Sequence, residues 1–183
     1  MKRYVIPYDY PDMDASHMHI YLLEAGDRLL AGMSQQSSDK ALEFLKDMGV
    51  DVQFGKMVTD YKDYRVMIKD GTSIATRTFL WVSGIRAQPI TGIDGNMLGR
   101  GFRILVDGCN RVRGMKNVFA IGDQCLMTAD PRYPNGHPQL AQVAIQQARQ
   151  LADNLVRLSH HNNDLKPFHY HDLGSMATIG RNK

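Results

Sequence analysis

One acidic residue of the sequence stands directly after an apolar run, in a position suited to ligand binding. Residues 117–121 predict a buried strand, and Gly122 and Asp123 follow it at once. In open α/β folds the carboxyl ends of parallel strands form the edge where ligands bind. The glycine permits a close approach of a ligand, and the carboxylate can accept hydrogen bonds from sugar hydroxyls. A turn-forming or helix-capping aspartate is an equally good interpretation of Asp123 taken alone.

A second candidate position is the start of a predicted helix at Pro138. Proline is favoured at the first helical position, and the free N–H groups of a helix N-terminus carry partial positive charge. That charge can stabilise the electron-rich N1–O2 edge of a reduced flavin. Gln142 and Gln146 are four residues apart and share one helix face, where their amides suit a quinone carbonyl or a flavin edge. An amphipathic helix with a solvated glutamine face is the alternative interpretation.

Two further positions follow predicted strands in the first half of the chain. Glu24 ends an apolar run, and an acid at that place in a dinucleotide-binding unit binds the adenosine ribose hydroxyls. Ser83 and Gly84 follow the apolar residues 78–82, where small residues let a nucleotide lie against the backbone. An exposed surface glutamate and a tight strand exit are the alternative interpretations.

The elements predicted around these positions give an α/β fold, since helices alternate with apolar strands. Helices are expected over residues 34–48, with Gly49 as the terminating glycine, and from Pro138 to residue 158. Pro7 and Pro11 predict a non-helical arm at residues 1–16. Strands are predicted at residues 19–24, 50–54, 57–63, 65–70, 78–82, 102–106, 117–121, 168–170 and 174–181.

Composition excludes several classes of protein. The 183 residues carry 22 Lys+Arg against 19 Asp+Glu, a charge excess too small to predict nucleic-acid binding. No run approaches the ~20 apolar residues of a membrane-spanning helix. Cys109 and Cys125 lack the C-x-x-C spacing of a redox pair or zinc site, and the histidines lack metal-binding spacing, so no metal site is expected.

The order of these segments along the chain resembles the flavoproteins with two dinucleotide-binding domains, and in particular the type II NADH dehydrogenases. The motif Ala141-Gln142-x-x-x-Gln146 matches the quinone-side motif of that group, and residues 23–30 match the second half of its NADH domain. Residues 174–181 resemble its C-terminal segment.

The resemblance implies an FAD-dependent oxidoreductase in which NADH reduces FAD and the reduced flavin passes two electrons to a membrane quinone. On the flavin side, Gly122 and Asp123 would bind the ribityl–pyrophosphate region of FAD. The backbone at Gln139, Leu140 and Ala141 would face the flavin ring.

The resemblance also assigns roles on the substrate side. Gln142 and Gln146 would line the quinone side of the flavin, and Glu24 would hold the ribose of NADH (NAD). Ser83 and Gly84 would pass near the nicotinamide half of that cofactor.

The predicted domains are partial FAD/NAD(P)-binding Rossmann-like domains. Residues 1–16 form an arm, 17–90 a partial NADH-binding domain with a β-meander, 91–165 a partial FAD-binding domain, and 166–183 the start of the C-terminal segment. Neither G-x-G-x-x-G fingerprint of the family is present, so the chain is expected to be a fragment that binds FAD weakly or not at all and does not oxidise NADH.

Partners and alternatives follow from the same comparison. Open sheet edges in such a fragment predict a homodimer. The parent enzyme would attach to the cytoplasmic face of the membrane through a region outside these residues. Two other functions remain open at this point: a flavoprotein reductase of the disulfide or ferredoxin type, and a non-catalytic dinucleotide-binding or interaction module.

Overall fold

The structure is a computed structural model that describes residues 5–180. These residues form two compact units, the second being Val82–Gly174 and the first comprising the described residues before and after it. The division after Trp81 comes earlier than the predicted boundary at residue 90, and residues 166–174 belong to the second unit. The NADH and FAD labels of the domains stay predictions.

A parallel strand pair and the helix between its strands open the first unit. Strand β1 (Ile20–Leu23) pairs in parallel with β2 (Val50–Gln53), and helix α2 (Gln35–Asp47) connects them. Ser34 caps the helix, because its hydroxyl oxygen accepts a 3.2 Å hydrogen bond from the N–H of Ser37. Gly49 follows the end of the helix with φ +79°. The predicted helix and both strands are confirmed, although β1 is half-exposed rather than buried.

An antiparallel meander follows in the same unit. It consists of β3 (Val58–Lys62), β4 (Arg65–Ile68) and β5 (Ser73–Ala75), in that order across the sheet. The turn between β3 and β4 places Asp63 and Tyr64 in the left-handed region, with φ +50° and +58°. Two successive left-handed residues are the geometry of a tight hairpin turn, so the predicted meander is confirmed.

The prediction of a helix-free arm at residues 1–16 is wrong. Val5–Asp9 form a short helix, α1, and Ala15–His17 form a 3₁₀ turn. Pro7 lies within the first turn of α1, where its missing N–H costs no helical hydrogen bond. Ile6 is buried, and its burial anchors the helix.

The predicted buried strand at residues 78–82 is also wrong. Leu80, Trp81 and Val82 are 76%, 58% and 86% exposed, and the structure assigns no strand there. Phe79 alone packs well, with its ring stacked 4.9 Å from that of Tyr61. Within the described residues no strand lies alongside this run, and an apolar run without a backbone partner cannot join a sheet.

The second unit contains a parallel pair and the longest helix. Strand β6 (Ile104–Val106) pairs in parallel with β7 (Cys125–Met127), and helix α3 (Ala141–Ser159) follows. The β6 prediction is confirmed in part, since residue 102 belongs to the preceding 3₁₀ turn. The core packs β6, β7 and α3 with two aromatic residues of the later chain: Ile104, Val106, Val112, Ala120, Cys125, Met127, Val143, Phe168 and Tyr170.

Residues 117–121 are not the parallel strand that the sequence predicts. Their ladder contact is an isolated antiparallel bridge between Phe119 and Arg111, and Val118 is 41% exposed. The strand that joins β6 is β7, which follows the turn Gly122–Gln124 and is fully buried. Two apolar runs compete for one partner strand, and the more completely buried run pairs with it.

Helix α3 begins later than predicted. Pro138 lies before the helix, Leu140 is the N-cap residue, and Ala141 is the first helical residue. The helix ends at Ser159 with His160 as its C-cap, one residue past the predicted end at residue 158.

The buried face of α3 carries polar side chains. Val143, Gln147 and Asn154 are at most 2% exposed, whereas Leu155, which the predicted apolar stripe includes, is 47% exposed. A buried amide must be hydrogen-bonded to be tolerated, so Gln147 and Asn154 have partners that the apolar pattern does not reveal.

Candidate functional site

The turn at Gly122 is fixed against helix α3 by one contact and one hydrogen bond. A Cβ built on Gly122, whose φ is +63°, would lie 3.1 Å from the Cβ of Ala144. The N–H of Gly122 donates to Oε1 of Gln147 at 2.6 Å, and the Cys125 thiol lies 3.5 Å from the same oxygen. Glycine is therefore required at this position, and Gln147 holds the turn to the helix.

Asp123 projects from this fixed turn. The residue is exposed, while its backbone carbonyl accepts a 3.2 Å hydrogen bond from the side chain of Gln139. Its negative charge partly opposes the effect of burial, which lowers the pKa of Arg103. The Asp123 carboxylate is thus exposed on a backbone that is held on both sides.

The N-terminus of α3 lies beside this turn and offers backbone donors. Val143 and Ala144 both donate to the carbonyl of Leu140, at 3.0 and 3.2 Å. Leu140 provides no side-chain cap, and the N–H groups of Ala141 and Gln142 precede the first helical hydrogen bonds. An electron-rich group would be stabilised here by these donors and by the helix dipole.

Gln142 and Gln146 share a face of α3, as predicted, and both bind the backbone of the later chain. Gln142 donates to the carbonyl of Gly174 and accepts from the N–H of Leu173, both at 3.0 Å. Gln146 donates to the carbonyl of His171 at 2.8 Å and accepts from its N–H at 3.0 Å. The predicted solvated face is therefore occupied by residues 171–174.

The predicted strand at residues 168–170 is absent from the structure. The backbone of this stretch makes single contacts instead of a strand ladder: the N–H of Phe168 donates to the carbonyl of Gly108 at 2.7 Å, and the carbonyl of Tyr170 accepts from Arg132 at 3.0 Å. The side chains of Phe168 and Tyr170 are nevertheless both buried in the core, at 4% and 2% exposure. The predicted strand at residues 174–181 is likewise absent from the described part, and Arg181 lies outside the described residues.

A cluster of charged and polar side chains surrounds the buried carboxylate of Asp130, just before α3. Arg132 donates to both carboxylate oxygens of Asp130, at 3.2 and 3.0 Å, and Nε2 of His137 lies 3.3 Å from Oδ2. The hydrogen bonds from Arg132 lower the pKa of Asp130 to about 2. Arg103 donates to the backbone carbonyl of His137 at 3.1 Å.

Sequence reasoning missed this cluster, and His137 is its most constrained member. The side chain is 1% exposed, and its Nδ1 has no hydrogen-bond partner among the residues that the structure describes. Burial lowers the pKa of His137, although the neighbouring Asp130 opposes the change. Burial of the imidazole therefore favours its neutral form over its charged form. Its position directly before Pro138 was the available sequence signal.

Glu24 lies in the first unit, directly after β1. Its Oε1 accepts the N–H of Gly26 at 2.7 Å, and a Cβ on Gly26 would approach that oxygen to 3.3 Å. Its backbone carbonyl accepts the N–H of Lys56 at 2.9 Å. One carboxylate oxygen thus fixes the side chain, which leaves the other to accept from a sugar hydroxyl.

Ser83 and Gly84 are exposed in the second unit. The N–H of Gly84 donates to the carbonyl of Val82 at 3.0 Å, and Gly84 has φ +97°. A Cβ on Gly84 would meet nothing within 4 Å. Glycine is therefore favoured at this position by the backbone conformation of the turn and not by packing. The predicted role at a nicotinamide stays a prediction.

Comparison with known proteins then identifies the family. A family model described as pyridine nucleotide-disulphide oxidoreductase matches residues 13–148. The chain belongs to this family. Within the pyridine nucleotide-disulphide oxidoreductases, its relatives include the type II NADH:quinone oxidoreductase of Haemophilus influenzae, which is 33% identical over 175 residues, or 94% of this chain.

Other relatives agree with this placement. The type II NADH:quinone oxidoreductase NdhA of Mycobacterium tuberculosis is 35% identical over 91% of this chain. These alignments cover 38% of the Haemophilus protein and 36% of the mycobacterial one, so the chain spans little more than a third of either relative. The predicted resemblance to type II NADH dehydrogenases is confirmed.

Solved structures support the fold. NDH2 from Plasmodium falciparum, determined in complex with NADH, superimposes with a TM-score of 0.81 at 18% identity over 98% of this chain and 51% of its own. A ferredoxin reductase from Rhodopseudomonas palustris gives 0.61 at 19% identity over 83% of this chain and 37% of its own. The predicted α/β class with partial Rossmann-like domains is confirmed.

The described residues contain neither a membrane-spanning helix nor a cluster of side chains placed to bind a metal. No helix among residues 5–180 has the length and apolar character needed to cross a bilayer. Across the same range, no group of three or more histidine, cysteine or acidic side chains is placed to hold a metal ion.

Proposed function

We propose that these residues form part of an FAD-dependent NADH:quinone oxidoreductase, contributing the turn and helix that face the flavin. The observation that carries this proposal is the fixed turn at Gly122, which holds Asp123 beside the uncapped N-terminus of α3. The family of the chain and the names of its relatives supply the chemistry of the two substrates.

The residues of this region fit a flavin nucleotide. The exposed carboxylate of Asp123 is an acceptor for hydroxyl groups of the ribityl chain. Gln139 and Leu140 lie at the helix start, where Ala141 contributes a backbone donor toward an electron-rich ring edge. Bound FAD would accept a hydride from NADH and deliver two electrons to a quinone, while the protein positions the ring and tunes it.

Gln142 and Gln146 are proposed to line the quinone side. Each amide uses one N–H and one acceptor direction on residues 171–174, so each Nε2 retains a second N–H. That remaining donor suits a quinone carbonyl. Glu24 is proposed to hold the NADH ribose, with Ser83 and Gly84 near the nicotinamide half.

The disulfide-reductase alternative is disfavoured by the two cysteines described. Both are free, and they are far apart in sequence. Burial raises the pKa of the Cys125 thiol, which opposes the thiolate that disulfide exchange requires. These residues therefore supply no redox pair.

NADH and a quinone are the substrates proposed for the whole enzyme. We propose that the whole enzyme acts as a homodimer attached peripherally at the cytoplasmic face of the membrane. Equilibrium sedimentation and co-sedimentation with vesicles test these two statements separately.

The test of function uses protein expressed from its full reading frame. NADH oxidation is followed at 340 nm with either a short-chain quinone or ferricyanide, which takes electrons from the flavin without a quinone site. Gln146→Ala is expected to raise the KM for quinone by about tenfold and to leave the ferricyanide rate unchanged. Asp123→Ala is expected to lower both the quinone-dependent and the ferricyanide-dependent rate. Arg149→Ala, at an exposed residue, is expected to change neither rate. Absence of quinone-dependent NADH oxidation in the wild type would overturn the proposal.

A further inference from the structure

A ladder of side-chain amides runs along α3 and binds the extended residues 166–174. Besides Gln142 and Gln146, it includes Asn154, which donates to the carbonyl of Lys166 and accepts from its N–H, both at 2.9 Å. Gln150 adds a longer contact of 3.4 Å to the same carbonyl. The four amides are spaced four residues apart, so they follow one stripe of the helix.

The hydrogen bonds between α3 and residues 166–174 resemble those of an antiparallel sheet, with side-chain amides in place of one strand. Residue 154 binds residue 166, residue 146 binds 171, and residue 142 binds 173 and 174, so the two segments run in opposite directions. An amide presents one donor and one acceptor side by side, as a peptide group does. It can therefore satisfy a backbone N–H and a backbone carbonyl together.

This pairing also fixes the orientation of each amide. Rotating the Gln146 amide by half a turn would place its NH₂ group against the N–H of His171 and its oxygen against the carbonyl. Both contacts would then be repulsive. The backbone of residues 171–174 thus determines which way the amides of Gln142 and Gln146 point.

We propose that Gln142, Gln146 and Asn154 are positioning residues that fix the register of residues 166–174 on α3. They hold Leu173 and Gly174 at the first turns of the helix, where Leu173 is 70% exposed. The backbone in turn orients the two glutamines so that the second N–H of each amide is offered to an acceptor group. This inference goes beyond the proposed function and holds whether or not a flavin or quinone binds.

The test is residue-resolved amide hydrogen exchange of this chain by NMR, without added cofactor. Gln146→Met keeps the side-chain length but removes both hydrogen bonds, and it is expected to speed exchange at His171 by about fivefold. Gln146→Glu retains an acceptor for that N–H and is expected to preserve most of its protection. Gln142→Met is expected to act on Leu173 more than on His171.

Arg149→Met is the matched control, because Arg149 is exposed on the same helix. It is expected to leave both amides unchanged. The proposal is overturned if Gln146→Met leaves His171 protected, or if Gln146→Glu exposes it as fully as Gln146→Met. Equal acceleration by the control would also overturn it, since protection would then depend on general stability.

Discussion

Two regions of the molecule have similar sequence patterns and different structures. Residues 78–84 and residues 117–123 are each an apolar run that ends in a small residue or glycine and predicts a buried strand. In the first, Val82 is 86% exposed and Gly84 has open space around it. In the second, Gly122 touches α3 and is held by Gln147.

The difference shows that a neighbouring element, and not the apolar run itself, decides whether the turn after the run is held in place. Neither run is a strand in the structure, yet the turn at Gly122 is fixed because a helix supplies a matching surface and an acceptor. A site needs groups held in place by their surroundings. We therefore expect substitutions at the Gly122 turn to cost much more than the same substitutions near Gly84.

The largest contrast is expected between two glycine-to-alanine substitutions. Gly122→Ala should lower the free energy of unfolding by about 3 kcal/mol, because left-handed backbone strain adds to a clash with Ala144. Gly84→Ala carries strain alone and should cost about 1 kcal/mol. Urea unfolding followed by circular dichroism measures both.

The double variant Gly122→Ala with Ala144→Gly tests the clash itself. It should be less destabilised than the sum of its two single substitutions, since the contact between the two methyl groups is gone. Equal costs for Gly122→Ala and Gly84→Ala would show that packing against α3 is unimportant.

The next effect concerns the acceptor behind the Gly122 turn. Gln147→Leu should cost about 2 kcal/mol, because it leaves a part-buried N–H without a partner. Gln150→Leu removes only a long contact of 3.4 Å from the same helix and should cost about 0.5 kcal/mol or less. Urea unfolding measures the free energy of unfolding of both variants. Equal stability of Gln147→Leu and Gln150→Leu would refute the role of the hydrogen bond from Gly122 to Gln147.

A pH dependence near neutrality is expected from His137, which lies just before α3 in the second unit. Burial lowers the pKa of His137 below 6.5, so the unfolded chain binds that proton more readily. This contribution to the free energy of unfolding should be complete above pH 6.5. It should fall as the pH decreases from 6.5 toward the pKa of His137 in the folded chain. His137→Gln should remove this loss, whereas His160→Gln, at an exposed histidine, should keep it. Thermal unfolding between pH 5 and 8 measures it.

Asp130 adds a separate acid transition. Its hydrogen bonds to Arg132 lower its pKa from 3.8 to about 2 in the folded chain. That contribution is complete above pH 3.8 and is lost as the pH falls toward 2. Asp130→Asn should abolish this acid transition. It should also deepen the loss of stability below pH 6.5, because it removes the charge that opposes the lowered pKa of His137.

The smallest effect is expected in the exposed run. Val82→Thr should change stability by about 0.5 kcal/mol or less, since this side chain is 86% exposed. The same substitution at Val106, which is fully buried, should cost about 2 kcal/mol, because a hydroxyl would be buried without a partner. A cost at Val82 equal to that at Val106 would show that residues 78–82 are packed.

Sequence patterns predicted the elements whose signals are local. Ser34 and Gly49 mark the ends of α2, and the alternation around residues 57–70 gives the meander. The α/β class and the resemblance to type II NADH dehydrogenases also followed from the sequence. In each case the residues that carry the signal lie inside or next to the element that they define.

The remaining features depend on distant partners. Nothing in residues 117–127 shows which apolar run will pair with β6, because the choice depends on burial. Likewise, Gln147 and Asn154 appear as polar interruptions of a helix stripe until the groups that they bind, at residues 122 and 166, are known. Long-range hydrogen bonds to side-chain amides have no periodic signature, so the sequence does not reveal that residues 171–174 lie against α3.

The most direct test of the central claim is the flavin content of variants expressed from the full reading frame. If the Gly122 turn presents Asp123 to FAD, Asp123→Ala should lower FAD affinity by about tenfold or more, and the protein should lose its flavin absorbance near 450 nm on dialysis. Asp153→Ala, at an exposed aspartate of α3, should retain it. Equal flavin content in the two variants would contradict the assignment of this turn to the flavin.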